Sequence, residues 1–381
     1  MIHDVLIIGS GMYVLGKDDQ DLGTILPTVI QEQEKGNVGK IRVVSSRVKS
    51  AVAGEKKLAL INKKLGSKAD VEFYPKENDN PVEYLEIAKR FENQVAIVCV
   101  PDHLHYKVTD NLLNLKIPTQ VVKPFTTNLE EAKRLTQKAK EKKVWGGVEF
   151  HKRFDEANLL LKNNLNSGKI GDPLYFVIEY SQRKTIPLDV FKSWAAKTNI
   201  FQYLGVHYVD LIYFITEAKP LRVNASGQKN LLIKNEVDSF DSIQVNIEWE
   251  LPNKKKFNSI FLTNWIDSNN SSSMSDQRIK VIGTNGRIES DQKNRGLQIV
   301  DDNSIEDVNP YFSKFFEIGG KTTFKGYGPK SISQFFQDVK NYNPNYKSQS
   351  ASFEDAVVST AIIEAVTKSL DEDFKWIDIN L

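Results

Sequence analysis

The sequence predicts a two-part α/β chain, with a doubly wound parallel sheet first and a mostly antiparallel sheet after it. Three observations carry this expectation. The chain has 381 residues, more than one hydrophobic core usually serves, so two domains are expected. Its first third alternates short apolar runs with polar stretches of helical period, the pattern of strands covered on both faces by helices. After about residue 150 several strand-like runs follow one another with few helices between them.

In order along the first part, Val5–Ile8, Ile41–Ser45, Val95–Val100 and Gln120–Val122 read as strands. Between and after them Thr24–Glu34, Val82–Phe91, Lys107–Leu115 and Leu129–Lys142 read as helices. In the second part Leu174–Tyr180, Arg222–Gly227, Ile243–Trp249, Ser259–Trp265 and Gln277–Ile282 alternate partially and read as strands. Leu251-Pro252-Asn253 and Thr284-Asn285-Gly286 supply turn chemistry, and Phe353–Leu370 is the best late helix. The expected domains are residues 1–125 and 126–381.

Composition narrows the class. The 51 basic and 49 acidic side chains leave a formal net charge of +2, too balanced for nucleic acid as the main partner. Cys99 is the single cysteine, so no intrachain disulfide can form and nothing points to an oxidising compartment. It sits in an apolar run and reads as a small core residue. The N-terminus lacks the pattern of a signal peptide and no apolar run is long enough to span a bilayer. A cytoplasmic protein without a membrane partner is expected.

The strand Val5–Ile8 runs into Gly9-Ser10-Gly11. Such a turn lets the backbone approach a pyrophosphate while the following helix offers its first N–H groups. Gly9, Ser10, Gly11, Met12 and Tyr13 are therefore expected to bind a dinucleotide on a Rossmann-type sheet. The spacing departs from the usual fingerprint, since Val14 takes the third glycine's place. One reading is an insertion from Val14 to Leu22, with Gly23 as the displaced glycine. Its Asp18, Asp19 and Asp21 would repel a pyrophosphate, so the segment loops away or acts as a lid. The second strand ends in Ser45-Ser46-Arg47 with no acid. Hydroxyls and a guanidinium suit a 2′-phosphate, which favours NADP over NAD; the alternative is a solvated Arg47.

Four further segments complete a recognisable order: Val98-Cys99-Val100-Pro101-Asp102-His103-Leu104-His105, Val121-Val122-Lys123-Pro124, Gly205-Val206-His207-Tyr208-Val209-Asp210, and Ile282-Gly283-Thr284-Asn285-Gly286-Arg287-Ile288-Glu289. Together they resemble the glucose–fructose oxidoreductase, inositol dehydrogenase and rhizopine-catabolism (Gfo/Idh/MocA) family over nearly the whole chain. The resemblance implies a Rossmann domain followed by an α/β domain with a large open sheet, and hydride transfer between NAD(P) and a secondary alcohol or ketone of a sugar, polyol or nucleotide sugar. It also implies a homodimer or homotetramer formed through that sheet. By position, Lys123 matches the lysine of the family's Glu-Lys-Pro motif, with Val122 where Glu is usual. His207 and Asp210 match the family's helix motif, whose first acid is Tyr203 here.

Hydride transfer from an alcohol needs a base for the hydroxyl proton, and its reverse needs an acid. At α-helical spacing Tyr203, His207 and Asp210 would share one face. His207 titrates near neutral pH and is the acid–base candidate; Tyr203 would assist, and Asp210 would orient the imidazole or bind a sugar hydroxyl. Lys123 ends a buried strand where α/β sheets bind ligands and could donate to the reacting oxygen. Pro124 offers a cis peptide that would aim it. Val100, Pro101, Asp102 and His105 are expected along the cofactor channel. His103 and His105 form a His-x-His pair, but no further ligands stand at metal-site spacing and no metal is expected. Near the expected domain junction lie Glu149, His151, Lys152 and Arg153. Lys152 or Arg153 would bind an anionic substrate group or form a solvated face, and Trp194 would stack on a sugar or fill core. The competing functions are a glycosidase using NAD without net consumption and a non-catalytic dinucleotide sensor, the latter kept open by Val14, Val122 and Tyr203.

Overall fold

The computed structural model describes residues 2–343 and 345–381. The chain forms two compact units, each discontinuous in sequence. The first comprises residues up to Thr126 with Glu130–Asp155 and Tyr311–Ala356; the second comprises Thr127–Leu129, Glu156–Pro310 and Val357–Leu381. This differs from a single division at residue 125, because a late stretch of chain completes the first unit's core.

In the first unit the opening elements are β1 (His3–Ile8), α1 (Met12–Leu15), α2 (Ile25–Glu34), β2 (Val38–Val44), α3 (Val48–Leu65), β3 (Val71–Tyr74), α4 (Glu83–Arg90), β4 (Gln94–Val98), α5 (His105–Asn114), β5 (Thr119–Val122), α6 (Leu129–Lys142) and β6 (Gly146–Glu149). All four expected strands and all four expected helices form here. The sequence reading missed α3, whose alternating lysines and small apolar residues bury only Ala51, Gly54, Ile61 and Leu65. It also missed β3 and β6, four residues each, too short to show a period. The strands run β6-β5-β4-β1-β2-β3, with every neighbouring pair parallel. That is the order of a Rossmann sheet, and it reverses direction between β1 and β4, where such sheets bind ligands beyond the strand ends.

The second unit contains α7 (Glu156–Asn166), β7 (Pro173–Arg183), α8 (Val206–Thr216), β8 (Lys219–Gln228), α9 (Leu231–Lys234), β9 (Ser242–Glu250), β10 (Lys256–Asp267), β11 (Ser275–Gly283), β12 (Gly286–Asp291) and the small hairpin β13–β14 (Gln298–Val300, Ile305–Asp307). The five expected strands are present. Every pairing in this seven-stranded sheet is antiparallel except β7 with β10. On β9, Ile243, Val245, Ile247 and Trp249 are fully buried on one face while their neighbours are not, the period-two signature of a one-sided sheet. The opposite face leaves Tyr175, Leu262 and Ile266 exposed.

The chain then returns to the first unit with the hairpin β15–β16 (Lys314–Ile318, Lys321–Lys325), α10 (Tyr327–Asn341) and β17 (Ala351–Ser352), which pairs antiparallel to β6. Phe324, Ile332, Phe335 and Phe336 join Val5, Ile7, Val29 and Val43 in one core cluster. α11 (Phe353–Asp371) follows, and β18 (Ile377–Asp378) pairs with β8 at the edge of the second sheet. No helix among the described residues is long and apolar enough to cross a membrane.

Candidate functional site

The glycine turn sits at the end of β1. Gly9 has φ of +107°, and a Cβ there would lie 1.9 Å from the carbonyl oxygen of Cys99. Only glycine lets β1 and β4 approach so closely at the switch point. At Gly11 an added Cβ would meet nothing within 4 Å, and no side chain caps the start of α1. An open backbone turn leading to uncapped N–H groups fits a pyrophosphate, so these residues suit the dinucleotide.

The expected Val14–Leu22 insertion is smaller than the sequence suggested. Val14 and Leu15 are buried in the core and belong to α1. The excursion spans residues 17–21, since Leu22 is again in the core, and closes at a neck, where Cβ atoms at Gly16 or Gly23 would each strike backbone of the opposite strand of the loop within 2.7 Å. Its acids serve the loop itself. Asp18 Oδ1 accepts from the N–H groups of Gln20 and Asp21, and Asp21 accepts from those of Lys17 and Gly23. Lys57 on α3 ties it down, donating to the carbonyls of Asp18 and Asp21.

The turn after β2 separates the three residues expected at a 2′-phosphate. Ser46 and Arg47 are exposed. Ser45 instead directs its hydroxyl at the carbonyls of Arg47 and Tyr74, at 3.0 and 3.1 Å. A hydroxyl has one proton, so Ser45 braces the turn.

Lys123 follows β5 through a cis bond to Pro124. Burial pulls its ammonium down to about 8, against the opposing pull of the Asp102 and Glu149 carboxylates. Glu149 is 2% exposed and lies on β6 directly across the ladder from Val122. Thus a carboxylate lies beside Lys123 although Val122 supplies none. Glu149 Oε2 is 3.2 Å from His151 Nδ1. Its Oε1 and the Tyr13 hydroxyl are both buried, and the hydroxyl faces the Glu149 carboxylate. Burial, reinforced by Glu149, pushes the Tyr13 phenol well above its usual value, so it remains an O–H donor. The His151 ring packs against Tyr13, Phe312 and Tyr327 at centroid distances of 6.3, 5.1 and 5.7 Å. Phe312 and Tyr327 come from the returning segment, and no local motif marks them in the sequence. Burial and Glu149 push the Cys99 thiol up to about 12, which removes it as a nucleophile.

His105 was expected along the cofactor channel. It is fully buried, with Nδ1 2.6 Å from the carbonyl of Pro124 and Nε2 2.9 Å from that of Val100. Both ring nitrogens face carbonyl oxygens, of which a neutral imidazole donates to one, and the buried ring joins the two loops. Val100 and Pro101 are half-buried and Asp102 is buried. Lys152 and Arg153, 1% and 3% exposed, form no solvated face. Arg153 Nη1 is 3.6 Å from Asp355, and its carbonyl accepts from Gln349.

In the second unit, residues Phe201–Gly205 form a π-helical turn that leads into α8. This wider turn interrupts the straight stripe expected from α-helical spacing. Tyr203 lies on the π turn, while His207 and Asp210 follow on α8, 3% and 2% exposed. The Tyr203 ring packs among Phe191, Trp194 and Trp265 at 4.9, 6.3 and 5.8 Å. Trp194 also stacks at 4.5 Å on Phe191, against the core. At Gly205 the space of a Cβ is taken by the Phe201 ring, 2.5 Å from where that atom would be. Leu204, Leu211 and Ile215 are in the core. Among the described residues no group of three or more His, Cys, Asp or Glu could hold a metal ion.

Comparison with known proteins agrees with this architecture. Residues 46–150 match the model of an oxidoreductase family with an NAD-binding Rossmann fold, and residues 159–289 match the Gfo/Idh/MocA C-terminal domain. A myo-inositol 2-dehydrogenase of Thermotoga maritima is 24% identical over 277 residues, 73% of this chain and 77% of that one. A scyllo-inositol 2-dehydrogenase (NADP(+)) of Bacillus subtilis is 26% identical over 141 residues, 36% of this chain and 38% of that one. The crystal structure of a scyllo-inositol dehydrogenase from Lactobacillus casei, with bound NAD(H) and scyllo-inositol, superposes with a TM-score of 0.69 at 15% identity, covering 99% of each chain. Two family models that together span most of the chain, on a sheet order and a glycine turn that suit a dinucleotide, establish that this chain belongs to the Gfo/Idh/MocA family of NAD-binding oxidoreductases.

Proposed function

We propose that this chain oxidises a secondary alcohol of a cyclic polyol or sugar, or reduces the matching ketone, with NADP(H) preferred over NAD(H). The observation that carries the reading is Lys123 held beside Glu149 and Asp102 on the sheet that carries the glycine turn. The substrate class rests on the inositol dehydrogenases among the relatives. The dinucleotide, when bound, supplies the two-electron donor or acceptor. Gly9, Ser10, Gly11, Met12 and Tyr13 hold its phosphates, with Val100, Pro101 and Asp102 along its path.

Lys123 donates to the reacting oxygen and stabilises the charge that develops there. In the second unit His207 is the acid–base candidate, with Asp210 a further polar group on the same helix. Tyr203 and Trp194 offer an aromatic wall for an apolar sugar face. Lys152 and Arg153 are the candidates for an anionic or hydroxyl-rich substrate group. The exposed apolar residues on the second sheet's open face support association of copies through that face.

Fluorescence titration with NADPH and NADH side by side, followed by turnover on an inositol and sugar panel, tests the reading. NADPH is expected to bind more tightly. Arg47→Ala is expected to weaken NADPH by about tenfold while leaving NADH nearly unchanged, since it removes a charge-assisted contact. NADH preference in the wild type overturns the 2′-phosphate assignment. Tight binding without turnover on any alcohol or ketone favours a sensor instead.

A further inference from the structure

The turn after β2 has no acid of its own, yet the fold brings one to it. Asp79, on the segment between β3 and α4, places Oδ1 2.8 Å from the N–H of Val48, the first residue of α3. The next residue fastens the same segment to the turn, with the Asn80 N–H donating to the carbonyl of Ser46 at 3.0 Å. The Asp79 carboxylate and Arg47, the residue preceding the helix, therefore meet at one helix start, and both residues are exposed.

We propose that Asp79 is a specificity-determining residue for the cofactor, opposing Arg47. In dinucleotide-binding sheets the group near this strand end meets the adenosine ribose, where an acid accepts from a free 2′-hydroxyl and repels a 2′-phosphate. The usual acid sits on the second strand. Here Asp79 reaches the same helix start from the third, with Oδ1 used by Val48 and Oδ2 left as an acceptor for the hydroxyl. Arg47 attracts the 2′-phosphate, a near-dianion, and Asp79 charges against it. Selectivity by a repulsive element beside an attractive one is a general device. It makes this chain's NADP(H) preference shallow and keeps NAD(H) usable. The inference rests on the proposed dinucleotide site.

Asp79 also caps α3, so charge must be separated from capping. Asn caps a helix about as well as Asp, which makes Asp79→Asn the informative variant and Asp79→Ser a second neutral cap. Dissociation constants of NADPH and NADH are measured by fluorescence on the full chain, together with the melting temperature without nucleotide. Both variants are expected to tighten NADPH relative to NADH by roughly three- to tenfold, the range of an exposed charge acting on a dianion, with the melting temperature unchanged. A ratio unchanged in both variants, or equal changes for both nucleotides, overturns the inference while leaving the proposed function standing. Failure of the wild type to bind either nucleotide overturns the proposed function, and the inference with it.

Discussion

Lys123 shows how far one residue's chemistry depends on its neighbours. Burial alone would take its ammonium further down, and Asp102 and Glu149 hold it at about 8. Neutralising Glu149 removes one of those supports. In Glu149→Gln the Lys123 proton is therefore lost at lower pH, and the alkaline fall in kcat/KM for ketone reduction is expected to move down by roughly half a unit to one unit. A pH–rate profile checks this; an alkaline limb that stays in place removes Glu149 from Lys123's environment or Lys123 from the chemistry. The position of Lys123 was legible because a lysine after a buried strand marks the ligand-binding edge of an α/β sheet. The pairing of Glu149 with it was not, because ladder register places residue 149 opposite residue 122 and no local pattern encodes register. The surroundings of His105 were hidden for a related reason. A histidine after a strand looks the same whether its nitrogens face a ligand or, as here, two carbonyl oxygens.

At the scale of elements, the glycine turn and the excursion after it separate two kinds of constraint. The turn is set by close approach of Gly9 to Cys99. The excursion is self-contained, with its acids capping its own N–H groups and its neck closed by Gly16 and Gly23. Excising residues 17–21, so that Gly16 joins the core residue Leu22, should leave the unfolding midpoint within a few degrees of the full chain, because the lost contacts with Lys57 lie at the surface and contribute little, about 0–1 kcal/mol. Nucleotide affinity should change less than threefold, since Gly9, Gly11 and the start of α1 remain. Thermal melts and NADPH titration of the excised chain check both; a tenfold loss of affinity would establish the excursion as a lid. The sequence marked an interruption but misjudged its edges, since Val14 and Leu15 look no different in an apolar loop than in a short buried helix. The π turn at Phe201–Gly205 was equally hidden, because i, i+4 spacing is read as α-helical by default.

For the molecule as a whole, both sheets were legible from alternation and run length, but the discontinuity of the first unit was not. Hydrophobic pattern reports that Phe324, Ile332, Phe335 and Phe336 are buried; it does not say in which core. They complete the core begun by β1, β2 and α2, some three hundred residues earlier in the chain. Fully burying side chains of this size contributes about 1.5–3 kcal/mol each. The four together approach the whole stability of a typical domain, about 5–15 kcal/mol. A fragment ending at residue 155 also leaves β6 without β17 at its edge and α2 without the Gln31 bonds to the backbone of Phe324. Such a fragment is expected to show no cooperative transition in urea and no nucleotide binding. The same fragment joined by a flexible linker to residues 311–356 is expected to regain both. Circular dichroism under urea, with NADPH titration alongside, distinguishes them. A cooperative transition in the short fragment would mean that the returning segment only covers a core already stable without it, and the cofactor sheet would then be an independent folding unit.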